Sequence, residues 1–430
     1  MPLEKTKDIL IKSSIFLLIW SISWLCSGVK EGSMFAIAIA SMMFLSCSLF
    51  INPQKIKSKR TFKIECVCLI GILLLATIQL LNNRSVFFQH QNYSYINSVN
   101  YITWLPSTIL SEDAVIEYAA IISAIIAYLA GKVIFSNTKY VRFALKVLVL
   151  NTLFVALLGL YQVINGIKIP YGLFYTQANC FASFYLENAA TSFIYLGEAA
   201  AITLFIWRPK VKSLIWLFIA IVEMCIMLKS DSRGSICVSI LILLIGIAFL
   251  ISLMQSKLKY IILFLYTSFI ICLGSIFSEK MLSNDKILTD IHNRLQIQNN
   301  FHSLIKNSQL YGTGIASFKF EEVLQKKHEL THFDGKLVIS GHLHNDILEF
   351  VLEFGFLGLA IAICFLACYI YNLARMKLIF SKRNMFLLCC IGIYLAHSCF
   401  DIFLHISSNL ILLALILAIA SSKLTFKKSL

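Results

Sequence analysis

Charge is what this sequence has least of. Lys, Arg, Asp and Glu together make up 14% of its 430 residues, where a soluble domain carries about 25%. Hydrophobic residues make up 59%, and the mean hydropathy is +0.80. That balance excludes a soluble globular protein and leaves a polytopic membrane protein. Acidic residues are scarcer still, 22 against 37 basic ones, for a formal charge of +15. An excess of that size can mark a nucleic-acid binder, but the basic residues here fall in short clusters between apolar runs of about 20 residues, the length that spans a bilayer. No nucleic-acid partner is expected. The thirteen cysteines lie almost entirely inside the apolar runs, which excludes a disulfide framework and makes them small apolar filler. No internal repeat is recognisable.

What is present is a series of runs: 9–28, 32–51, 64–82, 113–135, 143–164, 189–207, 213–229, 236–254, 260–277, 347–371, 385–401 and 408–422. They predict an all-α fold of about twelve transmembrane helices. The first run follows Lys5, Lys7 and Lys12 like a signal peptide, yet it is long enough to span and leads at once into a second run; an uncleaved first helix is expected. Basic loops such as "NPQKIKSKR", "WRPKVK" and "ARMKLIFSKR" recur at every second connection, and by the positive-inside rule they face the cytoplasm, with both termini. The chain then divides into helices one to nine (1–277), an external and mostly helical loop domain (278–346), and helices ten to twelve with a short basic tail (347–430).

On this topology all nine histidines fall in external segments or near external helix ends, so any chemistry belongs outside. In 278–346, Leu288, Ile291, Leu295, Phe301 and Ile305 recur at near-helical spacing and predict an amphipathic helix lying on the membrane face. "LYGTGIASF" then breaks it, with Gly312 and Gly314 read as a tight turn.

Arg233, in "LKSDSRGSICV", has two readings: a snorkelling residue paired with Asp231, or an anion clamp at a helix start, where free N–H groups favour negative charge. Arg294 on the amphipathic helix is a second clamp candidate. In "HLHNDILEFVLEFGFLGL", Glu349 and Glu353 lie one helical turn apart, and two acids in the outer part of a span should not face lipid. Gly355 and Gly358 read as a small-residue pair that admits a neighbouring helix. Alternation of His342, His344 and Asp346 offers a two-histidine, one-carboxylate metal set only if the strand continues, and the onset of a helix turns Asp346 away. His397, Asp401 and His405 recur every four residues and should share a helical face, either closing the bundle or lining the same site.

These motifs together resemble the O-antigen ligase and polymerase superfamily. The carriers are His344-Asn345, nine residues, then Gly355-x-x-Gly358 with Glu353 ahead of the glycine; "SRG" at 232–234; "GTG" at 312–314; and "GLYQ" at 159–162 before "GLFYTQANCFA" at 172–182. The likeness spans about residues 150–360; "TQAN" departs from its usual turn, and His342 has no counterpart in it. The resemblance implies a bacterial inner-membrane glycosyltransferase that moves a glycan from undecaprenyl diphosphate to a sugar hydroxyl at the periplasmic face. The acceptor would be lipid A-core for a ligase, the reading that the likeness of the His-Asn-x9-Gly-x2-Gly pattern favours, or a second glycan for a polymerase, with membrane lipids around the carrier. His344 becomes the expected general base, and Arg233 and Arg294 the diphosphate ligands. Asn345, Glu353, Glu349, Asp401 and His397 become their supports. An inverting reaction with no metal and no cofactor is expected. A transporter or flippase fits the helix count equally, but transporters place ionisable groups at mid-membrane, and only Glu198 and Glu223 lie there.

Overall fold

The computed structural model describes residues 2–25, 31–50, 60–90, 93–167, 180–207, 211–253, 260, 294, 310–318, 320–321, 332–333, 336–337 and 342–422. Eleven of the twelve apolar runs coincide with helices: α1 (Pro2–Trp24), α2 (Glu31–Ser48), α3 (Arg60–Leu81), α4 (Glu112–Ile134), α5 (Thr138–Ile164), α6 (Glu187–Trp207), α7 (Leu214–Met227), α8 (Arg233–Leu253), α9 (Asp346–Arg375), α10 (Lys382–His397) and α11 (Ser407–Ala420). The run at 260–277 and the amphipathic helix around Arg294 lie outside the described residues, Tyr260 and Arg294 themselves apart. Among the described residues, six helices (α3, α4, α5, α6, α8 and α9) are long and apolar enough to cross a membrane, and three shorter apolar helices accompany them. The fold is therefore mostly helical.

It is not purely so. Between α3 and α4 a sheet forms from β1 (Ser85–His90), β2 (Tyr93–Ser98) and β3 (Ile109–Leu110), ordered β2-β1-β3 with β1 and β2 antiparallel. The stretch is rich in Val, Ile, Phe and Tyr, which suit a pleated surface, but hydropathy over a membrane-length window does not register strands so short. The described cysteines are free thiols, as a chain without a disulfide framework should have.

α6 is the centre. Every residue from Ala189 to Trp207 is buried, as expected of a helix apolar on all sides; it packs on α5, α7, α8 and α10, while α4 holds α2 and α11, and α9 lies along α3. Polar side chains tie neighbouring helices. Asn151 of α5 donates to the Ile19 carbonyl at 3.1 Å and receives the Trp24 indole N–H at 2.7 Å. The two mid-span acids take hydroxyls: Thr152 donates to Glu223 at 2.6 Å and Ser239 to Glu198 at 2.5 Å. Such bonds contribute about 0.6 kcal/mol each in a membrane.

"GLYQ" has a structural use here. Gln162 clamps the backbone of Ala182, donating to its carbonyl at 2.9 Å and accepting its N–H at 2.5 Å. Gly159 leaves room for the Phe181 ring, which any side chain at 159 would strike. The motif thus pins the short segment that leads into α6.

Candidate active site at one end of the bundle

The site is built around the start of α9. His344 adopts a left-handed backbone, φ 56°, uncommon outside glycine. Asn345 then caps the helix, its side chain accepting the Leu348 N–H at 3.0 Å, so the chain turns abruptly from His344 into the first turn. Asp346 fixes that turn from the other side. Its N–H donates to the Ser398 carbonyl at 2.9 Å, and its carboxylate accepts from Phe403 N at 3.1 Å, Leu404 N at 3.0 Å and His405 Nδ1 at 2.8 Å. One aspartate thereby binds the whole 398–405 segment to the residue pair His344-Asn345.

That segment holds the second half of the site. Arg294 donates from Nη1 to the Phe400 carbonyl at 2.7 Å and lies 3.8 Å from the Asp401 carboxylate. Asp401 in turn accepts from Asn188 at the start of α6 at 2.8 and 3.0 Å. His397 reaches Tyr195 through Nδ1 at 3.2 Å. Gly234 of "SRG" packs directly on the other side of that ring, a methyl there falling 2.7 Å from His397 Nε2. Arg233, half-buried, is the first residue of α8 and so stands at the same end. Ser232 and Thr191 both bond the Ser235 hydroxyl, at 2.9 and 2.8 Å, locking α8 to α6.

A third group lies one and two turns into α9. Glu349 accepts from His342 Nδ1 and from Leu343 N, both at 2.8 Å. His405 Nε2 sits 3.5 Å from Glu353 and 3.9 Å from Glu349. The electrostatics separate the histidines. Burial, with help from the Arg294 guanidinium, holds His344 below its ordinary 6.5. Burial also opposes charge on His342 and His405, but the carboxylates win: Glu349 raises His342, and Glu349 with Asp346 and Glu353 pushes His405 well above the ordinary value. His397 is lowered in the same way, by burial first, so His344 and His397 are the two imidazoles here that favour the neutral form.

The expected site residues thus converge at one end of the bundle. Arg294, Asp401, Asn345, Glu349, Glu353 and His397 lie in one neighbourhood beside His344, and Arg233 precedes Gly234, which packs on His397. Two local expectations fail. His397, Asp401 and His405 do not share a helical face, because α10 ends at His397 and 398–406 runs as turns; Asp346 and Arg294 hold those turns in place. Nor does Gly355 admit a neighbouring helix. With φ 66° and ψ −171° it breaks α9, and the "GTG" turn fills the break.

The break leaves carbonyls without helical partners, and these are met individually: Thr313 N on Leu352 O at 2.8 Å, Gly314 N on Glu353 O at 3.0 Å, and Gln79 Nε2 on Glu353 O at 2.8 Å. Non-helical backbone at membrane depth survives only when protein covers it. Gly312 and Gly314, at φ 77° and 102°, form the tight turn read from the sequence, and a side chain at 312 would strike the Glu353 carbonyl. Arg84 binds Glu321 and donates to the Thr313 carbonyl at 3.1 Å, fastening this turn to the sheet. His342 bonds Glu349 and Asp346 bonds the 403–405 segment, so these two side chains are held by different partners.

Asn188 and Gln79 are members that the sequence did not single out, while Asp346 and His405 enter the sequence reading only as a possible metal ligand and as part of a helical face. Asp346 directly follows His344-Asn345, a signal within reach; Asn188 and Gln79 carry none.

One comparison with known families bears on this geometry. Residues 218–363 match the O-antigen ligase family model. The match covers about a third of the chain and supports the O-antigen ligase and polymerase superfamily, the likeness carried by the motifs above. It takes in α8, Arg294, the glycine turn, His344 and the break in α9. No curated protein matches the chain. An O-antigen ligase or polymerase type of membrane glycosyltransferase is what the domain supports.

Proposed function

We propose that this protein is an O-antigen ligase that transfers a glycan from undecaprenyl diphosphate to a sugar hydroxyl of lipid A-core at the periplasmic face of the inner membrane. The observation that carries the proposal is that His344, strained in its backbone, lies within the electrostatic reach of the Arg294 guanidinium, which is anchored on Phe400 and Asp401. Left-handed backbone at a non-glycine residue costs about 1–3 kcal/mol and persists at functional sites.

In the proposed reaction His344 accepts the proton of the acceptor hydroxyl. The hydroxyl oxygen attacks the anomeric carbon as the bond to the diphosphate breaks, and the configuration inverts. Arg233 and Arg294 neutralise the departing undecaprenyl diphosphate through bidentate guanidinium contacts, and His344 then releases its proton to solvent. A diphosphate is already a good leaving group, so the sugar transfer draws on no metal as a reactant and on no cofactor. Asn345 and Asp346 set the direction of His344, Asp401 that of Arg294, and Glu349 and Glu353 brace the first turns of α9. The apolar grooves between helices accommodate the polyprenyl tail.

The alternative within the superfamily is a polymerase that joins repeat units. Purified protein supplied with lipid-linked glycan and lipid A-core tests the choice. Glycan joined to lipid A-core supports the ligase; chain elongation without lipid A-core overturns it in favour of the polymerase. A flippase reading predicts no new glycosidic bond with either acceptor.

A further inference from the structure

Beside the sugar-transfer groups lies a cluster of which the reaction above uses only Glu353, as a brace of α9. Glu117 of α4, Glu353 of α9 and His405 of the 398–406 segment bring one ligand atom each to within 4.8 Å of one another. Three separate elements therefore converge on one point. Glu353 is only 1% exposed, and its Oε1 has no hydrogen-bond partner among the described residues. Leaving a buried carboxylate oxygen without a donor is costly, more so than for a neutral group, so something outside the described side chains is called for.

His405 has the form of a ligand. Its Nδ1 donates to the Asp346 carboxylate at 2.8 Å, which fixes the tautomer and directs Nε2 toward Glu353, 3.5 Å away. A carboxylate holding one imidazole nitrogen while the other faces acidic oxygens is the support that metal-bound histidines ordinarily have. The charge also points to a cation. Four carboxylates, those of Glu117, Asp346, Glu349 and Glu353, surround two imidazoles, His342 and His405. Four carboxylates to two imidazoles make this an acidic setting, largely removed from water, in which a bound cation would compensate the carboxylates.

We propose that Glu117, Glu353 and His405 bind one divalent transition-metal ion, of the class that accepts mixed imidazole and carboxylate ligands, such as zinc or manganese. The ion displaces the proton from His405 Nε2, and closing to bonds of about 2.0–2.2 Å draws the three elements together. Its role is to cross-link α4, α9 and the 398–406 segment that carries the Arg294 acceptors. It stands apart from the transfer chemistry, so binding does not depend on His344.

The test uses the untagged full chain in detergent, stripped with chelator and titrated with Co²⁺, read by its visible absorption and by displacement with Zn²⁺. The expected result is one ion per chain with an imidazole–carboxylate spectrum and a raised melting temperature. Glu117→Gln should lose the spectrum, and Asp346→Asn should weaken binding by about 10- to 100-fold. His344→Ala should bind as the parent does, even where it abolishes transfer, which separates this proposal from the reading of the reaction. Metal-free melting of each variant, compared with metal-free parent, shows that it is folded; should Glu117→Gln fail that check, Asp346→Asn carries the same comparison. Absence of a stoichiometric spectrum, or equal affinity in parent, Glu117→Gln and Asp346→Asn, would mean an adventitious ion only and overturn the proposal.

Discussion

Gly234 packs on the imidazole of His397 so closely that a methyl at residue 234 would fall 2.7 Å from Nε2. The ring is held on its other side by Tyr195 at 3.2 Å, so it has little room to retreat. Gly234→Ala should push His397, and the start of α8 with Arg233, out of register. Overpacking of this kind costs about 1–3 kcal/mol. The expected outcome is protein that still inserts and purifies but transfers glycan poorly; a transfer assay beside a melting curve checks it, and unchanged transfer would mean that this contact does not set the site.

The depressed His344 gives a pH prediction whose sign is fixed. A general base works when neutral, and the rate falls as pH drops through its pKa. Burial and Arg294 hold His344 below 6.5, so the acid limb of kcat/KM should lie below that value. Removing the guanidinium in Arg294→Gln takes away one charge that disfavours imidazolium. The limb of the residual activity should therefore move to higher pH; a shift toward lower pH would contradict the electrostatic assignment.

The break in α9 predicts a stability effect rather than a chemical one. Gln79 donates to the carbonyls of Tyr311 and Glu353 at 3.0 and 2.8 Å. Gln79→Leu keeps the bulk and removes both donors; Glu353 O retains the Gly314 N–H, while the Tyr311 carbonyl loses its partner, at a cost of about 1–3 kcal/mol for a carbonyl left unpaired away from water. Melting of the detergent-solubilised protein should fall accordingly. Gly355→Ala should fall further, since φ 66° disfavours a side chain and the Leu310 carbonyl occupies the space.

Substituting lysine for either clamp arginine tests shape against charge. Arg233→Lys and Arg294→Lys each retain a positive charge but not the planar fork that matches a phosphate in two places. Arg294→Lys must also reproduce the 2.7 Å bond to Phe400 O with a flexible stem. Both variants should lower kcat/KM well below the parent; full activity in the lysine variants would reduce the arginines to generic charges.

How much of this could be read in the sequence varies by residue. Helices were legible because a membrane demands about 20 apolar residues in a row, and eleven such runs meet helices. Glu349 and Glu353 were legible because acids in a span must face protein. The 398–406 turns were not: a four-residue recurrence looks like a helical face, and the opposing force, capture of Phe403, Leu404 and His405 by Asp346, comes from a residue more than fifty positions earlier. Gly355 misled for a similar reason. A small residue reads equally as a helix contact or a backbone break, and the deciding neighbour is the distant Gly312 turn. The cluster of Glu117 with Glu353 and His405 joins three segments that no local pattern relates.

The account turns on His344 as the proton acceptor, and the most direct measurement is the rate of glycan transfer by purified His344→Ala with donor and acceptor both saturating. A fall of roughly 10²–10⁴, in protein whose melting temperature is unchanged, is the predicted result. Transfer at close to the parent rate by that variant would contradict it.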